Sequence, residues 1–181
     1  MFKKNLQATS YTLYPRPSGF TLVEFLAVVA LIGILSTLTV IALRNGRREV
    51  RDNERASAVN QIRVGLALGF VQLANYPTQT EVDLQLGGPG AKVLCEVNGK
   101  PRFVEAETEC TGEKFLPIVP AAPRPADGSC SSTQNGYRYR TGSGGEDYRL
   151  EFCLGKATSP SELSNGLNCA TADGLKAGAC Q

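Results

Sequence analysis

FTLVEFLAVVALIGILSTLTVIAL, residues 20–43, decides the architecture of this chain of 181 residues. Glu24 is its only charge, and Thr21, Ser36, Thr37 and Thr39 are its other polar members. As a helix rising 1.5 Å per residue it reaches about 36 Å, enough to cross a hydrocarbon layer of about 30 Å with some tilt. Upstream, residues 1–19 (MFKKNLQATSYTLYPRPSG) hold Lys3, Lys4 and Arg16, no acid, and no apolar run of the kind a secretory signal needs. A basic leader before an apolar span favours a cytoplasmic N-terminus, which sends everything after Leu43 outward.

Arg44, Arg47, Arg48, Arg51 and Arg55 crowd the far end of the span and vote against that orientation. Glu49, Asp52 and Glu54 are interleaved with them, so ion pairs along the helix surface are expected to offset much of the charge. Cysteine usage decides the matter. Cys95, Cys110, Cys130, Cys153, Cys169 and Cys180 all lie in the C-terminal half, as expected of a segment that folds in an oxidising compartment.

Beyond Leu43 the pattern becomes periodic. Ala56, Val59, Ile62, Leu66, Phe70 and Leu73 recur at three- and four-residue spacing, with Arg51, Asp52, Glu54, Arg55, Gln61 and Arg63 at other positions, which predicts an amphipathic continuation over residues 44–76. Pro77 ends it near Ala74-Asn75-Tyr76, giving one helix of about 56 residues from Phe20. Gly33 and Asn45-Gly46 are its weak points.

Residues 77–181 read as a β-rich head. AKVLCEV (91–97) and RFVE (102–105) flank Asn98-Gly99-Lys100-Pro101 as a first hairpin, and residues 137–141 and 148–154 flank a glycine-rich turn as a second. In the last strand Tyr148, Leu150, Phe152 and Leu154 alternate with Arg149, Glu151 and Cys153, so one face suits the helix stripe. The proline-rich PIVPAAPRP lies between the hairpins, and residues 156–181 offer little to bury. The expected fold class is α+β, a long N-terminal helix packed on a small antiparallel sheet. Six cysteines allow 15 pairings. The sequential set is taken, Cys95 with Cys110, Cys130 with Cys153 and Cys169 with Cys180, each loop contributing up to about 3 kcal/mol.

Composition excludes much chemistry. Histidine is absent, which removes Ser-His-Asp and Cys-His catalysis and every His-containing zinc site. There is no CxxC, and no nucleophile has a base beside it. Neither an enzyme nor a metal site is expected. With 19 basic against 17 acidic residues, no nucleic-acid partner is predicted. Arg138 and Arg140, alternating with Tyr137 and Tyr139, are too little to reverse that.

The junction Gly19-Phe20-Thr21-Leu22-Val23-Glu24, with its basic leader and unbroken apolar helix, resembles the processing site of the type IV pilin family, including the pseudopilins of type II secretion. The resemblance implies a pilin-like fold, cleavage after Gly19 by a prepilin peptidase, and N-methylation of Phe20. It implies assembly through Glu24, whose carboxylate would meet the freed amine of a neighbouring, axially shifted subunit. The partners it implies are like or related pilin subunits and an inner-membrane assembly platform. The place it implies is the inner membrane, with the head outside and the subunit later in a pilus or pseudopilus. Thr21-x-x-Glu24 also fits a capping box, which is compatible with both roles. Many major pilins carry a proline about 20 residues after the cut, where this chain has Ile41. Glu146-Asp147 and the Asp173-Gly174 loop offer oxygens to calcium as major pseudopilins do, against the commoner explanation of solvated loop acids. The alternative function is a membrane-anchored extracellular binding module that never polymerises.

Overall fold

A computed structural model describes residues 19–78, 83–142, 144–156 and 163–181. Lys3, Lys4 and Arg16 of the leader, Ser143 of the glycine-rich turn and residues 157–162 of the tail lie outside the described residues. The chain divides into two compact units, Met1–Ala42 and Leu43–Gln181. One helix, α1 (Leu22–Leu73), supplies the described structure of the first unit and enters the second.

In the first unit every described residue is exposed. The polar side chains of the apolar run are turned back on the helix: Ser36 donates to the Ile32 carbonyl (2.7 Å), Thr37 to Ile34 (2.7 Å) and Thr39 to Leu35 (2.8 Å). Hydroxyls satisfied in this way carry no unmet hydrogen bond into an apolar medium. Helical backbone continues without interruption through Gly33 and Asn45-Gly46.

The second unit is the head. Its strands are β1 (Leu84–Leu86), β2 (Val93–Val97), β3 (Lys100–Val104), β4 (Lys114–Leu116), β5 (Tyr137–Thr141), β6 (Tyr148–Leu154), β7 (Gly166–Ala170) and β8 (Leu175–Ala177). They form two antiparallel sheets, β1-β5-β6-β7-β8 and β3-β2-β4, where the sequence predicts one. Both expected hairpins are present. Asn98 (φ 52) and Gly99 (φ 74) both take positive φ, the two-residue turn whose twist matches the strands it joins. In β5 and β6 the inward residues Tyr137, Tyr139, Tyr148, Leu150, Phe152 and Leu154 are buried under the helix stripe.

Three expectations need correction. The tail does bury residues: β7 and β8 belong to the larger sheet, and Asn168 and Ala170 are fully buried. Asn168 donates to the carbonyls of Ser164 and Gly166 (both 2.9 Å) and accepts from the Ser164 N–H (2.8 Å), so a residue typical of loops is satisfied inside the core. The helix stripe is also displaced. Its buried positions are Asp52, Arg55, Ala58, Val59, Ile62, Gly65, Leu66 and Gly69, while Ala56 and Leu73 are half-buried and Phe70 is exposed. Finally, α1 stops at Leu73, and Ala74 turns out of it at φ 55. Tyr76 and Pro77 are then docked by the second hairpin, through Tyr76 N–H to the Gly145 carbonyl (2.7 Å) and the Tyr139 hydroxyl to the Pro77 carbonyl (3.1 Å).

The cysteines are bonded in sequential order, Cys95–Cys110, Cys130–Cys153 and Cys169–Cys180. The last of these ties the C-terminal end to β7.

Candidate functional site

Gly19 and Phe20 lie outside regular secondary structure just ahead of α1, both exposed, and a Cβ added at Gly19 would meet nothing within 4 Å. Phe20 is 79% exposed. Helix begins here for a local reason: the Thr21 hydroxyl accepts from the Glu24 N–H (3.2 Å), and the Thr21 carbonyl takes the first helical bond from the Phe25 N–H (3.1 Å). Thr21 is therefore the N-cap, which satisfies one of the four orphan donors of the first turn. Among the described residues, the carboxylate of Glu24 makes neither the return bond of a capping box nor any other hydrogen bond or ion pair. It stands in the first turn, where the helix dipole favours a negative charge, at the head of an exposed apolar surface.

That geometry has a defined chemical capacity. The Gly19–Phe20 peptide has no secondary structure to hold it away from a hydrolase. A cut there would leave a cationic amine four residues from Glu24, at the start of a helix whose apolar side chains have no partner among the described residues of the unit. Apolar surface of this extent requires lipid or other helices.

A second constellation, which the sequence alone does not reveal, sits in the head. Asp127, with its side chain 4% exposed, accepts two hydrogen bonds from Arg51, through Nε and Nη2 at 2.6 Å each. It takes a third from Arg55 Nη1 at 3.2 Å. Arg55, 1% exposed, also bonds Asp52 Oδ1 (2.8 Å), the carbonyls of Pro123 (3.2 Å) and Pro125 (3.0 Å), and Asn135 Oδ1 (3.0 Å). Asp52 Oδ1 in turn accepts the Gly155 N–H (2.9 Å). Hydrogen bonds from Arg51 hold the Asp127 carboxyl below the usual carboxylate range, and the same contact pushes Arg51 up. This clasp seats the proline-rich loop on α1. Two faint signals of it are present in the sequence: Asp127 is the lone acid between Glu113 and Glu146, and Asp52 and Arg55 stand three apart on one helix face.

The interleaved acids therefore do not offset the arginines as expected. Asp52 is spent on Arg55 inside the head, and neither Glu49 nor Glu54 forms an ion pair among the described residues. The alternation of charge in the sequence is not matched by pairing because the helix turns its arginines toward a carboxylate far along the chain.

The remaining candidates belong to the head. The six cysteines are paired within the head. Glu146, Asp147 and Asp173 line one cleft together with Arg149 and Lys176. Asp147 accepts the Gly142 N–H (3.1 Å), and no group of three or more His, Cys, Asp or Glu side chains suited to a metal occurs among the described residues. Arg140 pairs with Asp83, and Arg138 donates to the Thr133 carbonyl (2.6 Å).

Residues 15–40 match the prokaryotic N-terminal methylation motif, the signature of the prepilin-type cleavage segment of type IV pilins and pseudopilins. The match covers the end of the leader and the apolar part of α1, and not the head. No curated protein and no solved structure matches the chain. An apolar helix bearing this motif is consistent with a membrane-anchored protein of the pilin type.

Proposed function

We propose that this chain, with its prepilin-type cleavage segment, is a pilin-like structural subunit, cut after Gly19 by a prepilin peptidase and N-methylated at Phe20. An inner-membrane platform then assembles it into a type IV pilus or a type II secretion pseudopilus, with like or related subunits as neighbours. The observation that carries this reading is an acid, Glu24, without a partner among the described residues, in the first turn of a helix whose apolar run is exposed throughout. A carboxylate in an apolar layer is costly until an opposite charge reaches it, and the freed amine of an adjacent subunit is the cation that cleavage creates. Glu24 thereby sets axial register. The head stays outside the inner membrane, where disulfides persist. The reading assigns the chain neither a catalytic centre nor a cofactor.

The test is substitution of the acid without change of shape. Glu24→Gln keeps the helix cap and the side-chain volume, and should abolish filament incorporation while leaving cleavage at Gly19 intact. Incorporation at the wild-type level would contradict the role of Glu24, and a wild-type chain that is neither cleaved nor found in filaments would favour a membrane-anchored module that does not polymerise.

A further inference from the structure

The arginines that follow Leu43 are out of place for an exported head, because basic residues beside a span favour the cytoplasmic side. Arg44, Arg47, Arg48 and Arg51 fall on one helix face by their three-, four- and seven-residue spacing. Arg51 is consumed by Asp127, and Arg48, 54% exposed, reaches that carboxylate only at 4.0 Å. Arg44 and Arg47 are exposed and make no hydrogen bond or ion pair among the described residues. Nor does the helix offer them one. The positions three and four away from Arg44 are Val40, Ile41, Arg47 and Arg48, and those from Arg47 are Leu43, Arg44, Val50 and Arg51.

Their depth is set by the helix. Arg44 and Arg47 stand roughly 1.5 and 6 Å beyond Leu43, which closes an apolar run long enough to span the hydrocarbon. That is the level of lipid phosphates. A guanidinium matches phosphate with paired N–H donors and is readily desolvated, so two of them one turn apart suit a single anionic headgroup.

We propose that Arg44 and Arg47 form a binding site for the phosphate of an anionic phospholipid where α1 leaves the membrane. The proposal rests on reading residues 20–43 as the membrane span. A lipid phosphate supplies the negative charge that the described residues do not. It fixes the depth of the helix, and with Asp127 one turn further on, it continues a ladder of anions along the arginine face into the head.

The test is reconstitution of the full chain in phosphatidylcholine vesicles containing a trace of spin-labelled phosphatidylglycerol or spin-labelled phosphatidylcholine. The motionally restricted fraction of each label gives a relative association constant. Wild type should prefer phosphatidylglycerol by about fivefold or more, the scale expected for arginines at a bilayer surface, and high salt should weaken the preference. The R44Q/R47Q variant should lose it while retaining the restricted phosphatidylcholine component, which reports an inserted helix. The K100Q/R102Q variant, changed at two exposed positions of β3, should keep it. Equal association of the two lipids with wild type would overturn the proposal, and so would an equal loss in the β3 variant. Absence of a restricted component for either lipid would instead overturn the membrane span itself.

Discussion

Asp127 is buried with its charge because Arg51 and Arg55 are aimed at it, and Arg51 has no second carboxylate among the described residues to take its place. Removing one member of such a buried set leaves the others charged and unanswered. Asp127→Asn should therefore destabilise the head by about 3–5 kcal/mol, measured by denaturant unfolding of the full chain in detergent. The same residue sets an acid limit. Its folded pKa lies below the unfolded value of about 3.9, so the stabilisation is complete above that value and is lost as pH falls through the lower, folded one. Wild type should lose stability between pH 5 and pH 2 (roughly the carboxylate window) more steeply than Asp127→Asn. Equal slopes would contradict the clasp. This constellation is hard to read from sequence because pattern reading sends charge to the surface, and only the tertiary fold brings residue 127 to residues 51 and 55.

At the scale of elements, two glycines of α1 carry opposite expectations. A methyl group added at Gly46 would meet nothing within 4 Å, so Gly46→Ala should gain about 1 kcal/mol of helix propensity, read as slower amide exchange around it. At Gly65 the new methyl would lie 3.0 Å from Leu116 Cβ and 3.5 Å from the Phe115 carbonyl. There the propensity gain should be cancelled or reversed by the clash with β4, and a stabilised head would contradict that packing. Gly65 and Gly69 have no hydropathy to report, which is why periodicity points to Ala56 and Phe70 instead. The second hairpin is legible because tyrosine and arginine alternate on β5 at the period of a strand. Strands of three residues such as β1, β4 and β8 are too short to show any period, and β7, with Gly166 and Asn168, runs against strand propensity and is held by Asn168 hydrogen bonds and Cys169–Cys180. Replacing both Cys169 and Cys180 by Ala should cost up to about 3 kcal/mol, with loss of amide protection confined to β7 and β8. Protection lost throughout the head would mean that this bond holds more than the tail.

At the scale of the whole molecule, a single helix presents two kinds of surface. Its first part has only apolar and self-satisfied polar side chains beyond Glu24 and is exposed among the described residues, and its second part carries the stripe on which the head is built. That division is readable from residues 20–43 alone, since a long apolar run behind a basic leader leaves few physical options. The motif around Gly19 is equally readable, because the match over residues 15–40 lies in contiguous sequence and needs no distant contact. The surface by which the head would meet its neighbours is not readable, since an exposed residue carries no pattern that names its partner.

The most direct measurement is the intact mass of the chain isolated from its native membrane. The account predicts a polypeptide that begins at Phe20 with one added methyl group on its amine and that retains three disulfides. A mass that still includes residues 1–19 would contradict it.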